Sequence, residues 1–526
     1  MPNHPNPSVS TAVKISTVTV DIGALTIDEV VAVARYGAKV EISEAALAEI
    51  ATTRKRVEEL ATDPTPVYGI STGFGALARR HIPDDLRAQL QVSLVRSHAA
   101  GSGPEVEQEV IRALMLLRLS TLCTGRTGVR PVVAQTYAEV LNAGITPVVR
   151  EYGSLGCSGD LAPLAHCALA LLGEGEVRVA GGDIQPAGAA LAAAGIAPLE
   201  LREKEGLALI NGTDGMLGML CLAITDLRAA AKLADVSTAM TVEGLLGSLL
   251  VFAPDLQELR PHPGQADSAA NILTIAQGSE ILAAAFDEFK KKQVQDAYSV
   301  RCSPQVSGGF RDTLTHAELV ASRELAAAVD NPVVAKDGRV VSNGNFHGAP
   351  VAYVLDFLAV VTADLASMSE RRTDRFLDAS RNRGLNAFLA DDPGVDSGHM
   401  IAQYTQAGIV SELKRLANPA SADSIPSSAM QEDHVSMGWS AARKLRKSVD
   451  GLQRVLAIEI LTAARAIDMR EGTPAPGTAA AIAALRETVE GPGTDRYLSP
   501  EIERTVDLVQ DGSILAAVED AVGPLR

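Results

Sequence analysis

The chain has 526 residues, enough for one large helical body or for about three domains of ordinary size. Acidic residues outnumber basic ones, 64 to 47, and the resulting formal net charge of −17 excludes nucleic acid and anionic membrane surfaces as expected partners, because both repel such a protein. Five cysteines without a C-x-x-C pair, no signal-like N-terminus and no run of about 18 uncharged apolar residues indicate a cytoplasmic protein with no structural metal and no membrane span.

The first predicted elements are a short strand, STVTVD, and a helix that follows Thr26. Thr26 and Glu29 have the spacing of a capping box, and Gly37 is placed to end the helix. Beyond them, Ala- and Leu-rich segments of helical period fill most of the chain. The stretch from Glu205 to Asp226 is apolar on most of its circumference, which is typical of a helix buried inside a bundle or between subunits. The sequence therefore predicts a mainly α fold with small β pieces in the N-terminal region.

Two short segments, EVRVAGGDIQPAG and NPVVAKDGRVVSNG, are predicted to form hairpins on the helical body. We predict two parts: an N-terminal, motif-rich region over residues 1–220, and a long-helix bundle with a C-terminal helical tail over residues 221–526.

The stretch GSLGCSGDLAPLAH places three small residues, Cys157, Ser158 and Gly159, between glycines and an apolar run. It has three interpretations. One is a tight loop that leads into a helix. A second, a nucleophile elbow around Ser158, lacks the residue that G-x-S-x-G requires before the second glycine. The third is a reaction of the backbone itself, in which the amide nitrogen of Gly159 attacks the carbonyl of Cys157 and Ser158 then loses water.

Polar and aromatic residues stand in small islands between the apolar helices, where helix packing does not require them. Taken singly, each has an ordinary structural explanation; an asparagine before a glycine, for example, is often a helix C-cap. Three of them, in QVQDAYSVRC, are spaced by three residues, which would place them on one face of a helix. The island residues are Tyr68, Phe74, His98, Asn211, Gln295, Tyr298, Arg301, Phe346, Gln431 and Glu432.

The islands and the glycine-rich stretch together resemble, in chain order from about Thr26 to about Met469, the aromatic amino-acid ammonia-lyases. The matching stretches are GSLGCSGDLAPLAH, YGISTGFGALA, LVRSHAAGSGP, EGLALINGT, QDAYSVRCSPQV, NPVV…NGNFHG and QEDHVSMG. The resemblance implies a long-helix bundle of the aromatic ammonia-lyase and fumarase-like type.

In that family an Ala-Ser-Gly triplet cyclises without external help into a methylidene-imidazolone (MIO) prosthetic group. The matching residues here are Cys157, Ser158 and Gly159. Cysteine in place of alanine departs from the commonest pattern, but its side chain would lie outside the ring and take no part in closure. The resemblance thus implies an internal electrophile and no external cofactor or metal.

The resemblance also implies a role for the island residues. Tyr68 would remove the β-proton of the substrate, and Arg301 would bind the substrate carboxylate through two parallel hydrogen bonds. Asn211 would hold the carboxylate or the MIO carbonyl, while Tyr298 and Gln295 would orient the prosthetic group and the substrate.

Substrate choice would fall to His98 and Glu432, because an imidazole needs polar partners whereas a phenyl ring does not. The Ser97-His98 and Gln431-Glu432 pairs follow the histidine pattern of the family, and Phe346 would pack against the bound ring. The resemblance therefore implies L-histidine as substrate, trans-urocanate and ammonia as products, and a homotetramer with shared active sites.

Alternatives remain at this point. A phenylalanine or tyrosine ammonia-lyase, or an aminomutase, would use the same prosthetic group. A helical scaffold could keep the fold without the chemistry, and a serine hydrolase would need Ser158 to keep its hydroxyl and find a histidine partner.

Overall fold

Long α-helices form most of the chain in the computed structural model, which describes residues 15–62, 69–73, 80–292 and 295–526. The helices that precede the longest ones are α1 (Ile27–Tyr36), α2 (Glu44–Ala61), α3 (Arg87–His98), α4 (Gln108–Cys123), α5 (Pro131–Asn142), α6 (Leu161–Leu171), α7 (Ala187–Ala193) and α8 (Glu205–Ile210). The bundle that follows contains α9 (Asp214–Gly244), α10 (Pro254–Glu258), α11 (Pro263–Ala276), α12 (Glu280–Lys292), α13 (Tyr298–Arg301), α14 (Ser303–Leu325), α15 (Ala349–Leu377), α16 (Met400–Leu416) and α17 (Gly438–Asp468). The tail carries α18 (Pro476–Arg486), α19 (Ser499–Gln510) and α20 (Ser513–Val522).

Short strands decorate this helical body. They are β1 (Thr17–Val20), β2 (Lys39–Ile42), β3 (Ser102–Glu105), β4 (Ile145–Pro147), β5 (Arg150–Tyr152), β6 (Glu176–Val179), β7 (Ile184–Pro186), β8 (Val333–Val334) and β9 (Val340–Val341). Strands β1 and β2 pair in parallel, whereas β3 with β5, β4 with β6, β6 with β7, and β8 with β9 are antiparallel. Both predicted hairpins are confirmed, as β6–β7 and β8–β9, and the second lies beyond the N-terminal region.

The start of α1 has the predicted capping box. The Thr26 hydroxyl accepts the N–H of Glu29 at 3.2 Å, and the Glu29 carboxylate accepts the N–H of Thr26 at 2.8 Å. Gly37 ends the helix in the left-handed conformation at φ +67°. Local sequence signals therefore fix both ends of α1.

Helix α9 is the central element of the fold. It packs against α4, α14, α15 and α17, and most of its side chains are buried. The burial predicted for the apolar stretch Glu205–Asp226 is confirmed, but the helix breaks at residues 211–213, so the stretch forms α8 and the first part of α9. At about 1.5 Å per residue, its 31 residues span about 45 Å. Residue 220, the predicted boundary between the two parts of the chain, lies inside this helix. The division into two parts stays a prediction.

Helix α15 is long and apolar enough to cross a membrane, but 61% of its apolar window is buried inside the fold. It packs on α17, and a buried ion pair joins the two helices. Arg372 donates from Nε and Nη2 to the two carboxylate oxygens of Glu459, at 2.5 and 2.8 Å. This packing is that of a core helix.

Candidate active site

The loop before α6 carries Ser158 and is fastened to the start of α17. Ser436 donates from its hydroxyl to the carbonyl of Gly156 at 2.9 Å, and the N–H of Met437 donates to the carbonyl of Leu155 at 2.9 Å. Gly156 has φ +67°, a conformation that glycine adopts without strain. The loop is thus bent sharply and held on its outer side.

Gly159 lies directly against Gly212, the residue after α8 and Asn211. The two form an isolated bridge, and the N–H of Asp160 donates to the carbonyl of Gly212 at 2.7 Å. A Cβ on Gly159 would sit 1.9 Å from that carbonyl oxygen, and the φ of Gly159 is +75°. Only glycine fits here, for reasons of both space and backbone conformation.

Asp160 is fully buried behind the loop, and the sequence analysis assigned it no role. It accepts the hydroxyl of Ser154 and the N–H of Met216, each at 2.8 Å. Burial raises the pKa of Asp160 to about 7 despite these hydrogen bonds. The sequence signal that could have identified Asp160 is its position directly before the apolar run LAPLAH, because a carboxyl group buried there needs hydrogen-bond partners inside the protein.

Glu432 reaches Ser158 from a segment 274 residues away. The Ser158 hydroxyl donates to Oε1 of Glu432 at 3.4 Å, and Ser427 donates to Oε2 at 3.0 Å. Burial, and then the nearby Glu432 carboxyl, raise the pKa of the Cys157 thiol to about 12. Cys157 is therefore a neutral thiol and a poor nucleophile. Gln431 is exposed beside Glu432, and its N–H donates to the carbonyl of Ser428 at 3.1 Å.

Asn211 ends α8 and is 4% exposed. Among the described residues, its Oδ1 has no hydrogen-bond partner although it is buried. Its own carbonyl accepts from Nη1 of Arg118 at 2.7 Å. Asn211 thus offers an unsatisfied amide oxygen beside the Gly159 loop, where leaving it unpaired costs about 1–3 kcal/mol.

His98 ends α3 and is half-buried. Its Nδ1 lies 2.9 Å from the carbonyl of Leu94 and 3.1 Å from the hydroxyl of Ser97. Because a carbonyl only accepts, Nδ1 carries the proton of the neutral ring and Nε2 is left as an acceptor. The segment after α3 is joined to α6 through the N–H of Gly101, which donates to His166 at 3.1 Å.

Phe346 is half-buried in the loop between β9 and α15. The next residue, His347, stacks on His434 with ring centroids 5.3 Å apart. A Cβ on Gly348 would lie 3.0 Å from the Ser436 hydroxyl that holds the Gly156 loop. The Phe346 loop, the Glu432 segment and the Ser158 loop therefore meet at one place.

The remaining described site residues, Gln295, Tyr298 and Arg301, lie near the C-terminal end of α9. Asp160 contacts Met216 at its first turn, whereas Asp296, between Gln295 and Tyr298, accepts the N–H of Ser248 beyond its last turn at 2.8 Å. Within one chain, the structure does not bring Gln295, Tyr298 and Arg301 to Ser158.

The predicted single helical face is wrong for Gln295, because α13 begins only at Tyr298. Ala297 caps it in extended conformation, at φ −62° and ψ 157°. The Arg301 guanidinium carbon lies 4.7 Å from the centroid of the Tyr298 ring, which is 70% exposed. Among the described residues, Nε of Arg301 is buried without a partner.

Two sequence-predicted residues, Tyr68 and Phe74, fall outside the described residues. In the part of the chain that is described, no group of three His, Cys, Asp or Glu side chains is placed to hold a metal ion.

Comparisons with known proteins agree in fold and sequence. The sequence model of the aromatic amino acid lyase family matches residues 25–487. The chain is 65% identical over 512 residues to a histidine ammonia-lyase of Streptomyces coelicolor, which covers 97% of this chain and all of the relative. It is similar to the solved structures of a tyrosine aminomutase from Streptomyces globisporus (TM-score 0.92, 38% identity, 97% and 100% of the two chains) and of a histidine ammonia-lyase from Trypanosoma cruzi (TM-score 0.88, 38% identity, 96% of each chain).

Proposed function

The chain belongs to the aromatic amino acid lyase family, and we propose that it is a carbon–nitrogen lyase that converts L-histidine to trans-urocanate and ammonia. The contact between the Ser158 hydroxyl and Glu432 carries this proposal, because Ser158 would supply the electrophile and Glu432 would distinguish an imidazole from a phenyl ring.

We propose that Cys157, Ser158 and Gly159 mature into MIO, and the local geometry supports it. Gly159 has no side chain between its nitrogen and the Cys157 carbonyl, and it is pressed against Gly212. The unpartnered Oδ1 of Asn211 marks a polar position that the group or the substrate would complete. When formed, the group supplies an electrophile that makes the substrate amine a better leaving group.

Substrate recognition follows from two acceptors. His98 presents Nε2, and Glu432 presents a carboxylate that accepts from Ser427. Either one suits the single N–H of a neutral imidazole, and the two together suit the two N–H groups of an imidazolium. A phenyl ring donates to neither acceptor, and an acceptor that this ring shields from water without replacing its hydrogen bond costs about 1–3 kcal/mol. Phe346 lies close enough in the fold to pack on the ring. Arg301 would hold the carboxylate, and Tyr68 would take the β-proton.

Arg301 and Tyr298 lie a helix length from Ser158 within one chain, which supports sites to which different chains contribute residues. Helix α15 presents an apolar stripe, Tyr353, Phe357 and Val360, which are 58%, 48% and 43% exposed and spaced by four and three residues. Such a face favours burial against another copy. We therefore propose a cytoplasmic homotetramer with active sites shared between subunits.

An aminomutase is the second candidate, favoured by the likeness in fold to the tyrosine aminomutase structure. It would use the same electrophile but return the amine to the β-carbon.

The test is turnover of L-histidine by the purified protein, with urocanate followed by its absorbance and ammonia assayed separately. We expect the two products in equal amounts, and none from Ser158→Ala. No urocanate from the unaltered protein, or full turnover by the variant, would overturn the proposal. Borohydride, which reduces an exposed methylene, should abolish the activity.

A further inference from the structure

Arg118 is a fully buried arginine of α4 whose contacts are almost all with backbone. Its Nη1 donates to the carbonyls of Ala208 at 3.1 Å and Asn211 at 2.7 Å, and its Nη2 donates to the carbonyl of Val329 at 3.0 Å. One carboxylate oxygen of Asp214 lies 3.3 Å from Nη2 and supplies the opposite charge. One guanidinium thus joins α4 to the end of α8, the start of α9 and the segment before β8.

The same guanidinium lies behind the Gly159 contact. A Cβ on Gly212 would sit 2.5 Å from Nη2 of Arg118, and a Cβ on Gly159 would sit 1.9 Å from the Gly212 carbonyl oxygen. Arg118, the Asn211–Gly212 segment and Gly159 are therefore stacked in layers without space between them. A shift of the guanidinium would therefore move the Asn211–Gly212 segment, against which Gly159 of the Ser158 loop is packed.

We propose that Arg118 is a positioning residue for maturation of the Cys157–Gly159 loop, which it serves by holding the Asn211–Gly212 segment against Gly159. This inference rests on the proposed function. In the maturation step, the Gly159 nitrogen bonds to the Cys157 carbonyl carbon, whose oxygen leaves as water with the hydrogens of the Gly159 and Ser158 nitrogens. Ser158 then loses its hydroxyl and its α-hydrogen as a second water, and no oxidant or reductant is needed.

Lysine cannot replace arginine in this position. A planar guanidinium reaches three carbonyls in different directions at once, whereas an ammonium keeps the charge but concentrates its donors at one nitrogen. Since a misplacement of about 1 Å can slow an oriented reaction about 100-fold, we expect Arg118→Lys to slow maturation by about that factor.

The experiment measures the mass of the Ser158-containing peptide at increasing times after expression and purification. The unaltered protein should lack the mass of two water molecules, whereas Arg118→Lys should retain both in most molecules at early times. The matched control is Arg465→Lys, which alters a buried arginine that also donates to backbone carbonyls, those of Leu389 and Gly493, and it should mature like the unaltered protein. Emission from Trp439, the chain's single tryptophan, which packs against Gly215, verifies that each variant is folded.

Maturation of Arg118→Lys at the unaltered rate would overturn the inference. If that variant does not fold, Gly212→Ala takes its place, because its Cβ would lie 2.3 Å from the Asp214 carboxylate and 2.5 Å from the Arg118 guanidinium and so disturb this pair. Unaltered maturation of Gly212→Ala would overturn the inference equally. An unaltered protein that retains both waters would overturn the proposed function itself, so the two failures are distinguishable.

Discussion

Gly159 and Gly212 face each other so closely that a Cβ on Gly159 would lie 1.9 Å from the Gly212 carbonyl oxygen. We therefore expect Gly159→Ala to abolish L-histidine turnover and to leave both water molecules in the Ser158 peptide. Gly309, in α14, has nothing within 4 Å of its would-be Cβ, so Gly309→Ala should keep activity and add up to about 1 kcal/mol of stability. An active Gly159→Ala protein would contradict the geometry.

The separation of Ser158 from Arg301 predicts complementation between chains. Ser158→Ala and Arg301→Met should each be inactive alone. Co-expressed in equal amounts, they should recover about a quarter of the unaltered activity, because random assembly pairs an intact Ser158 of one chain with an intact Arg301 of another in about that fraction of sites. Recovery measured per tetramer checks this, and no recovery in verified mixed tetramers would mean that one chain supplies both residues.

The buried Arg372–Glu459 pair predicts a large loss of stability when one partner is removed. Arg372→Met should lower the free energy of unfolding by about 3–5 kcal/mol, because Glu459 is left as an uncompensated buried charge. The exposed pair Arg339–Asp337 is the control, since Arg339→Met should leave the free energy of unfolding almost unchanged. Urea denaturation at one fixed protein concentration compares them. Equal effects would contradict the assignment of Arg372 to the core.

Asp160 predicts a pH dependence of stability. Burial raises its pKa to about 7 from 3.8, so the folded protein keeps a proton in this range that the unfolded chain has released. The free energy of unfolding should therefore fall as pH rises between these values, by up to about 1.4 kcal/mol per pH unit from this group, and level off above pH 7. Asp160→Asn removes this component. Parallel stability profiles of the two proteins from pH 4 to pH 8 would contradict the raised pKa.

Short sequence patterns correctly predicted the helix ends and the hairpins. The capping box of Thr26 and Glu29, the end of α1 at Gly37 and both hairpins are confirmed, because caps and turns depend on residues only a few positions apart. The apolar circumference of α9 predicted its burial, because a helix that is apolar all round has to be covered by other parts of the protein.

The candidate site depended on long-range packing. Nothing in the spacing of Ser158 and Glu432 places them in contact, and only the resemblance associated them. The sequence analysis did not identify Arg118, which lies in the apolar stretch VIRALMLLRLSTLC, because the sequence could not show that its partners are carbonyls at the end of α8 and before β8. The position of Arg301 at the far end of α9 required the fold as well.

The most direct measurement is a competition in which the purified protein receives equal amounts of L-histidine, L-phenylalanine and L-tyrosine, with every product followed by mass spectrometry. We predict urocanate and ammonia in equal amounts, with no cinnamate, coumarate or β-amino acid. Cinnamate or coumarate would contradict the role of His98 and Glu432 in selecting an imidazole, and a β-amino acid would make the protein an aminomutase.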